Sequence, residues 1–560
     1  MNAPLSGRLA PLLLLAFVFL LLLPGTGTVP LLDRDEPRFA TASREMAERS
    51  DWIKPTFNGR DRFDKPALSY WLMRSGYAVF GQNEFGARLP TVLCAAALVL
   101  TVWFFGTRWF GPGAGLLAGI GIASCLQLFI HGRLALADMP MILAITVIQF
   151  ALAALLFPAN RPWTPDDDAA DPAGARRAAR RWWWALWLAV GLGFLAKGPI
   201  TFAVPVVSLL FLRFVFWRQP LPWARLAAGR GALLALALIA AWGVPALIVT
   251  EGRFFAVGIG EHVVARGYEK FNGRGYNPLF YLTTAPLSLF PWICFAPLAF
   301  LALKAKDIRH RWLASWLAAP YLIFTFYATQ LPHYVLPAFP AFFLLLGEGL
   351  GLGQNRWRRG GAIALAVIGA LVAALFVVVL VRPLPADASA LRPAFAGALA
   401  AVFGLVLIAS GVVRGDRWLR PGLVLGAFVV ASGAGQLATG LRDASLSVRL
   451  PALWAGAPAD TRFVGAGFSE PSLVFYSHRR WLNDLSPKAI EAEVATPGPL
   501  VLVTVERQID PLHLFTGLDR WRTQKTPATL LTGPGWTRQT LTGFNPGRTR
   551  WQEVTVWRRD

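Results

Sequence analysis

At 560 residues, with 55% hydrophobic residues, 15% charged residues and a mean hydropathy of +0.48, the chain is too apolar for a soluble protein of several domains. Its formal net charge of +22 would suggest nucleic acid in a soluble protein. In a membrane protein Lys and Arg collect in cytoplasmic loops beside anionic lipid, which accounts for the charge with membrane lipid as the partner and no nucleic acid.

The first apolar run, "LAPLLLLAFVFLLLLPGTG", is longer than the core of an ordinary signal peptide and no A-x-A site follows it, so it reads as a retained first helix. Further runs lie at 88–106, 113–130, 139–157, 182–195, 199–217, 231–250, 278–303, 312–328, 334–352, 361–381, 394–413 and 420–440. With the first, at 10–27, they predict about thirteen transmembrane helices over residues 1–440. A cytoplasmic N-terminus puts "RRAARR" (176–181), "RQPLPWARLAAGR" (218–230), "KAKDIRHR" (304–311), "RWRR" (356–359) and "RGDRWLR" (414–420) inside, and every one of these loops is basic, as the positive-inside rule requires. Segments 28–87 and 251–277 and the tail from 441 then lie outside. The tail changes character: "RFVGAGF", "LVLVTV" and "WQEVTVW" read as strands and 486–495 as a helix, which predicts a small α/β domain over 441–560. "GAGFSEPS" matches no full phosphate-loop pattern. Cys94, Cys125 and Cys294 sit in apolar runs without metal-ligand spacing and read as small core residues.

The 28–87 segment concentrates the polar residues. Phe39, Ala42, Met46 and Ala47 fall at helical spacing, which predicts an interfacial helix whose flanking charges, among them Arg44, Glu45, Glu48 and Arg49, form a snorkelling collar. That collar explains Asp35 poorly, because a carboxylate just beyond a membrane helix gains nothing from an anionic bilayer; Glu36 and Arg38 are its close support. Asp138, in "GRLALADMPM", is equally well read as a second functional acid or as the N-cap of the next helix. Lys197, in "FLAKGPI", occupies a turn too short to be freely solvated, where a cation serves as an ion-pair partner or phosphate ligand. Lys65, His262 with Glu261 and Arg266, and His333 with Tyr334 complete the outer set. Its cations suit a phosphate, and its acids suit a sugar or a metal.

In order, "DRDEPRFATASREM", "DWIKPTFNGRDRFDKPALSYW", "GRLALADMPM", "FLAKGP", "EHVVAR" and "LPHYVLPAFP" resemble the polyprenyl-phosphate-sugar-dependent glycosyltransferases of the membrane-embedded GT-C class. Within that class they are most similar to the lipid A 4-amino-4-deoxy-L-arabinose transferases, with protein O-mannosyltransferases as more distant relatives. The resemblance covers the first 340 residues. It implies Asp35 at the reacting centre with Glu36, Asp138 as the second acid, and Lys65, Arg38, Lys197, Arg266 and Tyr334 around a donor phosphate. It implies an undecaprenyl-phosphate-sugar donor and an acceptor on lipid A or another envelope glycan, at the periplasmic side of a bacterial inner membrane. Asp64 stands where the family carries Glu. The shorter carboxylate weakens the case for a divalent ion such as zinc shared by Asp64 and His262, and the expected reaction requires no cofactor.

A membrane transporter or flippase is the competing class, but such proteins place charged or broken helices near the midplane. Here the ionisable groups gather at one face. A structural membrane protein with an outward binding domain is the other reading that composition permits.

Overall fold

The computed structural model describes residues 9–32, 34–158, 164, 172–269, 276–305, 307–352, 355–382, 388–510, 522–523 and 535–560. The helices in its first half are α1 (Ala10–Leu22), α2 (Asp35–Glu48), α3 (Leu68–Phe80), α4 (Glu84–Phe110), α5 (Pro112–Ala123), α6 (Leu126–His131), α7 (Asp138–Leu156), α8 (Pro172–Lys197), α9 (Ile200–Phe211) and α10 (Ala228–Val249). Between α2 and α3 lies a hairpin of β1 (Thr56–Phe57) and β2 (Arg60–Asp61). There follow α11 (Arg253–Phe255), a π-helical stretch Ala256–Ala265, α12 (Arg266–Tyr268), α13 (Phe280–Ser288), α14 (Ala296–Ala302), α15 (Ile308–Thr325), α16 (Phe339–Gly351), α17 (Asn355–Val381), α18 (Leu391–Arg414) and α19 (Asp416–Ala444).

Each of the thirteen predicted apolar runs falls on helix. Among the described residues, seven helices are long and apolar enough to cross a membrane alone, or eight if α13 and the Trp292–Ala302 helix, bent by 106°, are one span. The run 113–130 is broken between α5 and α6 at Ser124 and Cys125. The chain is a multi-pass membrane protein of polytopic α-helical class with a small α/β domain at its C-terminal end.

Local chemistry accounts for the breaks. Gly111, at φ +91°, ends α4 in a conformation that costs a side chain dearly, and Pro112 opens α5 with its φ already helical. Gly415, also at φ +91°, separates α18 from α19. These two pack along small residues: a methyl on Gly411 would lie 2.7 Å from the Gly422 Cα, and one on Gly404 2.7 Å from the Gly426 carbonyl. Close backbone approach gives two such helices their dispersion contacts where lipid is as apolar as leucine. One core runs through the bundle, from Val18 and Val99 to Phe150, Trp316 and Phe343.

The C-terminal domain is a mixed sheet of β3 (Arg462–Ala466), β4 (Trp481–Leu482), β5 (Leu500–Ile509), β6 (Arg522–Thr523), β7 (Thr537–Asn545) and β8 (Arg550–Arg559), in the order β4-β3-β5-β8-β7 with β6 beside β5. Strands β3, β4 and β5 are parallel, whereas β8 and β7 run antiparallel. Four short helices accompany them: α20 (Leu446–Arg449), a 3-10 turn Leu450–Trp454, α21 (Pro471–Ser477) and α22 (Pro487–Ala495). Phe463, Trp481, Val501 and Val556 are buried at the sheet's centre.

Candidate active site

Helix α2 forms where the amphipathic spacing places it, but it is not a solvated collar. Phe39, Ala42 and Met46 are buried, and so is Arg44, at 4% exposure. Arg44 donates to the carbonyls of Phe475 at 2.8 Å and Val474 at 3.3 Å, so the C-terminal domain, not lipid headgroups, satisfies it.

Asp35 is the first residue of α2 and is exposed. Its charge acts on Arg62 and Tyr70. Arg62 is buried, pairs with Asp64 at 2.8 Å and donates to the Tyr70 hydroxyl at 3.3 Å. Burial works against the Arg62 charge, yet Tyr70, Asp64 and Asp35 hold its pKa above the ordinary guanidinium value. Burial drives the Tyr70 phenol upward, so it stays a neutral hydroxyl. Arg38 is half-buried one turn along α2, with no ion-pair or hydrogen-bond partner among the described residues. Lys65 is half-buried, and its ammonium donates to the Asp64 carbonyl at 2.9 Å.

The expectation for Glu36 changes. It is 1% exposed and fully engaged: Oε1 accepts from Arg88 Nε at 2.9 Å and the Ala135 amide at 2.7 Å, and Oε2 from Arg88 Nη2 at 2.8 Å and the Leu32 amide at 2.8 Å. A carboxylate with four donors in a dry site has no lone pair to spare for a substrate proton, so Glu36 is a structural staple and not a reacting acid. Arg88, also 1% exposed, spends its remaining donors on the carbonyls of Thr26, Val29 and Pro30. Together the pair fixes the loop before Asp35 and the loop before Asp138.

Asp138 is the first residue of α7, 6% exposed, and makes no cap bond. Its carboxylate accepts from Lys197, at the end of α8, at 2.5 Å. The Lys197 ammonium lies 5.6 Å from the Tyr334 ring centroid, and His333 Nε2 is 3.8 Å from Asp138. The His131 ring lies 4.6 Å from that of His333, tilted by 34°, and Gln127 bonds its Nδ1 at 3.0 Å. The structure thus unites Asp138, Lys197 and Tyr334. It adds His131, which lies just beyond the apolar run 113–130 and which sequence reasoning passed over.

Packing joins this cluster to Lys65. Phe63 and Ala67, on either side of Lys65, pack with Leu195, two residues before Lys197, and with Phe254 of α11; Ser69 donates to the Ala196 carbonyl at 3.3 Å. The π-helical stretch lies against the same strand of chain, since a methyl on Gly258 would meet the Phe63 carbonyl at 2.9 Å. The backbone of Arg266 opens α12, and its neighbour Gly267 accepts from the Ala328 amide at 3.1 Å. The side chains of His262 and Arg266 lie outside the described residues. Asp64 already faces Arg62, and among the described residues no three His, Cys, Asp or Glu side chains are grouped to hold a metal. The zinc ion that Asp64 and His262 would share falls partly on a side chain outside the described residues.

Loops from six parts of the chain thus converge on one end of the helical bundle and present carboxylates beside ammonium groups. The same fold is found in solved membrane-protein structures. ArnT from Cupriavidus metallidurans superposes with a TM-score of 0.73 at 20% identity in its apo state, covering 98% of this chain and 97% of that one. Its form bound to undecaprenyl phosphate gives 0.72 at 20%, covering 98% of both. A Pseudomonas paraeruginosa protein named undecaprenyl phosphate-alpha-4-amino-4-deoxy-L-arabinose arabinosyl transferase is 32% identical over 371 residues. That match covers 64% of this chain and 62% of the relative, so it spans less than two thirds of the relative's length. The family model described as dolichyl-phosphate-mannose-protein mannosyltransferase matches residues 9–259. The chain thus shares the fold of these solved structures and is similar in sequence to these relatives over part of its length.

Proposed function

We propose that the protein is a glycosyltransferase that moves a sugar from an undecaprenyl-phosphate donor to an acceptor at the periplasmic face of a bacterial inner membrane. The N-terminus is cytoplasmic, and the sheet domain beyond residue 441 is periplasmic. The sugar is 4-amino-4-deoxy-L-arabinose and the acceptor a lipid A phosphate. The similarity over 371 residues to a relative so named carries this reading, and the gathering of acids and cations at one end of the bundle supports it.

An acceptor oxygen attacks the anomeric carbon as the bond to the lipid phosphate breaks, through an oxocarbenium-like state. The electron pair leaves with undecaprenyl phosphate, which needs no protonating acid. Lys65, Lys197, Arg38 and Arg266 stabilise the charge that builds on it, and Tyr334 packs over Lys197; preorganised cations of this kind are worth several kcal/mol in a water-poor site. A lipid A phosphate arrives as an anion and needs no base, so Asp35 orients the donor or acceptor. Toward a hydroxyl acceptor Asp35 would accept the proton, worth roughly 10² to 10⁴ in rate.

The match to a mannosyltransferase model favours a hexose as the second reading, on another glycan or on protein. Mass analysis of lipid A, envelope glycans and proteins from a deletion strain beside its complemented parent decides between them. A pentosamine missing from lipid A phosphates is the expected result, and a hexose missing elsewhere would replace it.

A further inference from the structure

The sheet domain takes no part in the chemistry above, yet it grips the segment that carries Asp35 at three points. First, Tyr476, at the end of α21, accepts a hydrogen bond from the Leu31 amide at 2.8 Å and donates one to Glu84 Oε1 at 3.1 Å. The same Glu84 oxygen pairs with Arg442, at the end of the last membrane helix, at 2.9 Å. Second, Arg44 of α2 reaches the carbonyls of Phe475 and Val474 and lies 3.2 Å from His478 Nδ1. Third, Asn58, in the β1–β2 turn, exchanges two hydrogen bonds with the backbone of Trp481 in β4, at 2.7 and 2.9 Å.

We infer that the C-terminal domain is a positioning clamp for α2, and that Tyr476 is the residue through which it sets the place of Asp35. The inference rests on the reading of Asp35 as a group that touches substrate. Leu31 and Leu32 are consecutive amides four and three residues ahead of Asp35. One is held by Tyr476 of the sheet domain and the other by Glu36 of α2, itself paired with Arg88 of the membrane bundle. The loop is therefore pinned between the two bodies of the molecule. Arg44 lies nine residues beyond Asp35, two and a half helical turns on, so both ends of α2 are tied to α21 or its flanks. Leu31 is fully buried, Glu84 7% exposed and Arg44 4% exposed, so water cannot stand in for a lost partner, and an orphaned buried donor is costly.

The hydroxyl is what matters at Tyr476. Burial and the Glu84 carboxylate push its phenol well above the usual value, which keeps the proton that Glu84 accepts. At the second anchor a guanidinium can only donate, so His478 Nδ1 accepts from Arg44 and the ring is neutral; burial and the Arg44 charge both lower its pKa.

The test uses the full-length protein in detergent or nanodiscs. Tyr476→Phe keeps the ring and deletes the two bonds of the hydroxyl. Hydrogen exchange followed by mass spectrometry should show residues 31–48 exchanging about tenfold faster, the loss expected for one buried hydrogen bond, while α7 and α16 exchange as before. Turnover should fall at least as far, with a smaller change in the donor KM, because of the proposed phosphate cations only Arg38 sits on α2, and Lys65 and Lys197 sit on other segments. Arg44→Gln should do the same from the far end of α2. Unchanged exchange of 31–48 in both variants, with the proteins folded, would overturn the clamp. Faster exchange with unaltered turnover would overturn its role in placing Asp35. The exchange readout needs no substrate, so a wrong assignment of the sugar or acceptor leaves it intact.

Discussion

The Glu36–Arg88 staple makes the sharpest prediction, because Glu36→Gln changes one atom and its consequences can be counted. An amide has one oxygen where the carboxylate has two. One end of the side chain would therefore turn an N–H toward two donors, either Arg88 Nε with the Ala135 amide or Arg88 Nη2 with the Leu32 amide. One charge-assisted bond, worth roughly 1.5 to 3 kcal/mol, and one backbone bond of about 1 kcal/mol are lost. The Arg88 charge also stays buried without a counterion, and breaking such a pair costs about 3 to 5 kcal/mol. The two routes agree on a loss of roughly 3 kcal/mol or more. Thermal unfolding of purified protein in detergent should show a clear drop in midpoint, and turnover in the fraction that remains folded should fall more than tenfold as the loops before Asp35 and Asp138 lose register. Arg88→Lys should be intermediate, since an ammonium offers three donors from one point in place of five in a fixed fork. A Glu36→Gln protein with unchanged midpoint and turnover would refute the staple, and would return Glu36 to the candidates for chemistry.

Asp35→Asn should abolish transfer while leaving the unfolding midpoint within a degree or two, because Asp35 is exposed at the start of α2; normal turnover in a folded variant would remove it from the site. Lys65→Ala should raise the donor KM with a smaller change in kcat, measured with a short-chain polyprenyl-phosphate sugar, and an unaltered donor dependence would count against a phosphate contact.

Much of this site was legible where chemistry and chain position coincide. Asp138 and Lys197 stand in short turns between apolar runs and Tyr334 at the outer start of the next, and although Asp138 read equally well as a helix N-cap, the structure brings the three together. Glu36 misled because its neighbour in sequence is Asp35 while its partner is Arg88, 52 residues away inside an apolar helix. Tyr476 was invisible for the same reason, with 445 residues between it and Leu31. In the tail, β3, β5, β8 and α22 followed from alternation and turn signals. Strand β4 is two residues long, and the first half of β7 is exposed and polar, so neither carries the pattern of a buried strand. Hydropathy also sees length but not direction: it merged α5 with α6, and it could not show the 106° bend after α13.

The Asp138–Lys197 pair constrains how a phosphate can use this site. At 2.5 Å the carboxylate already neutralises the ammonium, and both side chains are largely buried. A phosphate that approaches Lys197 must therefore share it with Asp138, an anion held a few ångströms away. At about 5 Å and an effective dielectric near 20, two like charges repel by roughly 3 kcal/mol. In the proposed reaction that repulsion would oppose residence of the departing lipid phosphate and favour its release after transfer. Asp138→Asn should then bind undecaprenyl phosphate more tightly, by about tenfold or more, while turning over more slowly. The removal of the carboxylate also leaves Lys197 without its counterion in the empty site, which raises the free energy of that state and pushes in the same direction. Titration of purified variant and parent with undecaprenyl phosphate in nanodiscs reads the difference. A dissociation constant that is unchanged or weaker in Asp138→Asn would mean that the phosphate does not come near this pair, and would confine the donor site to Lys65, Arg38 and the α12 segment.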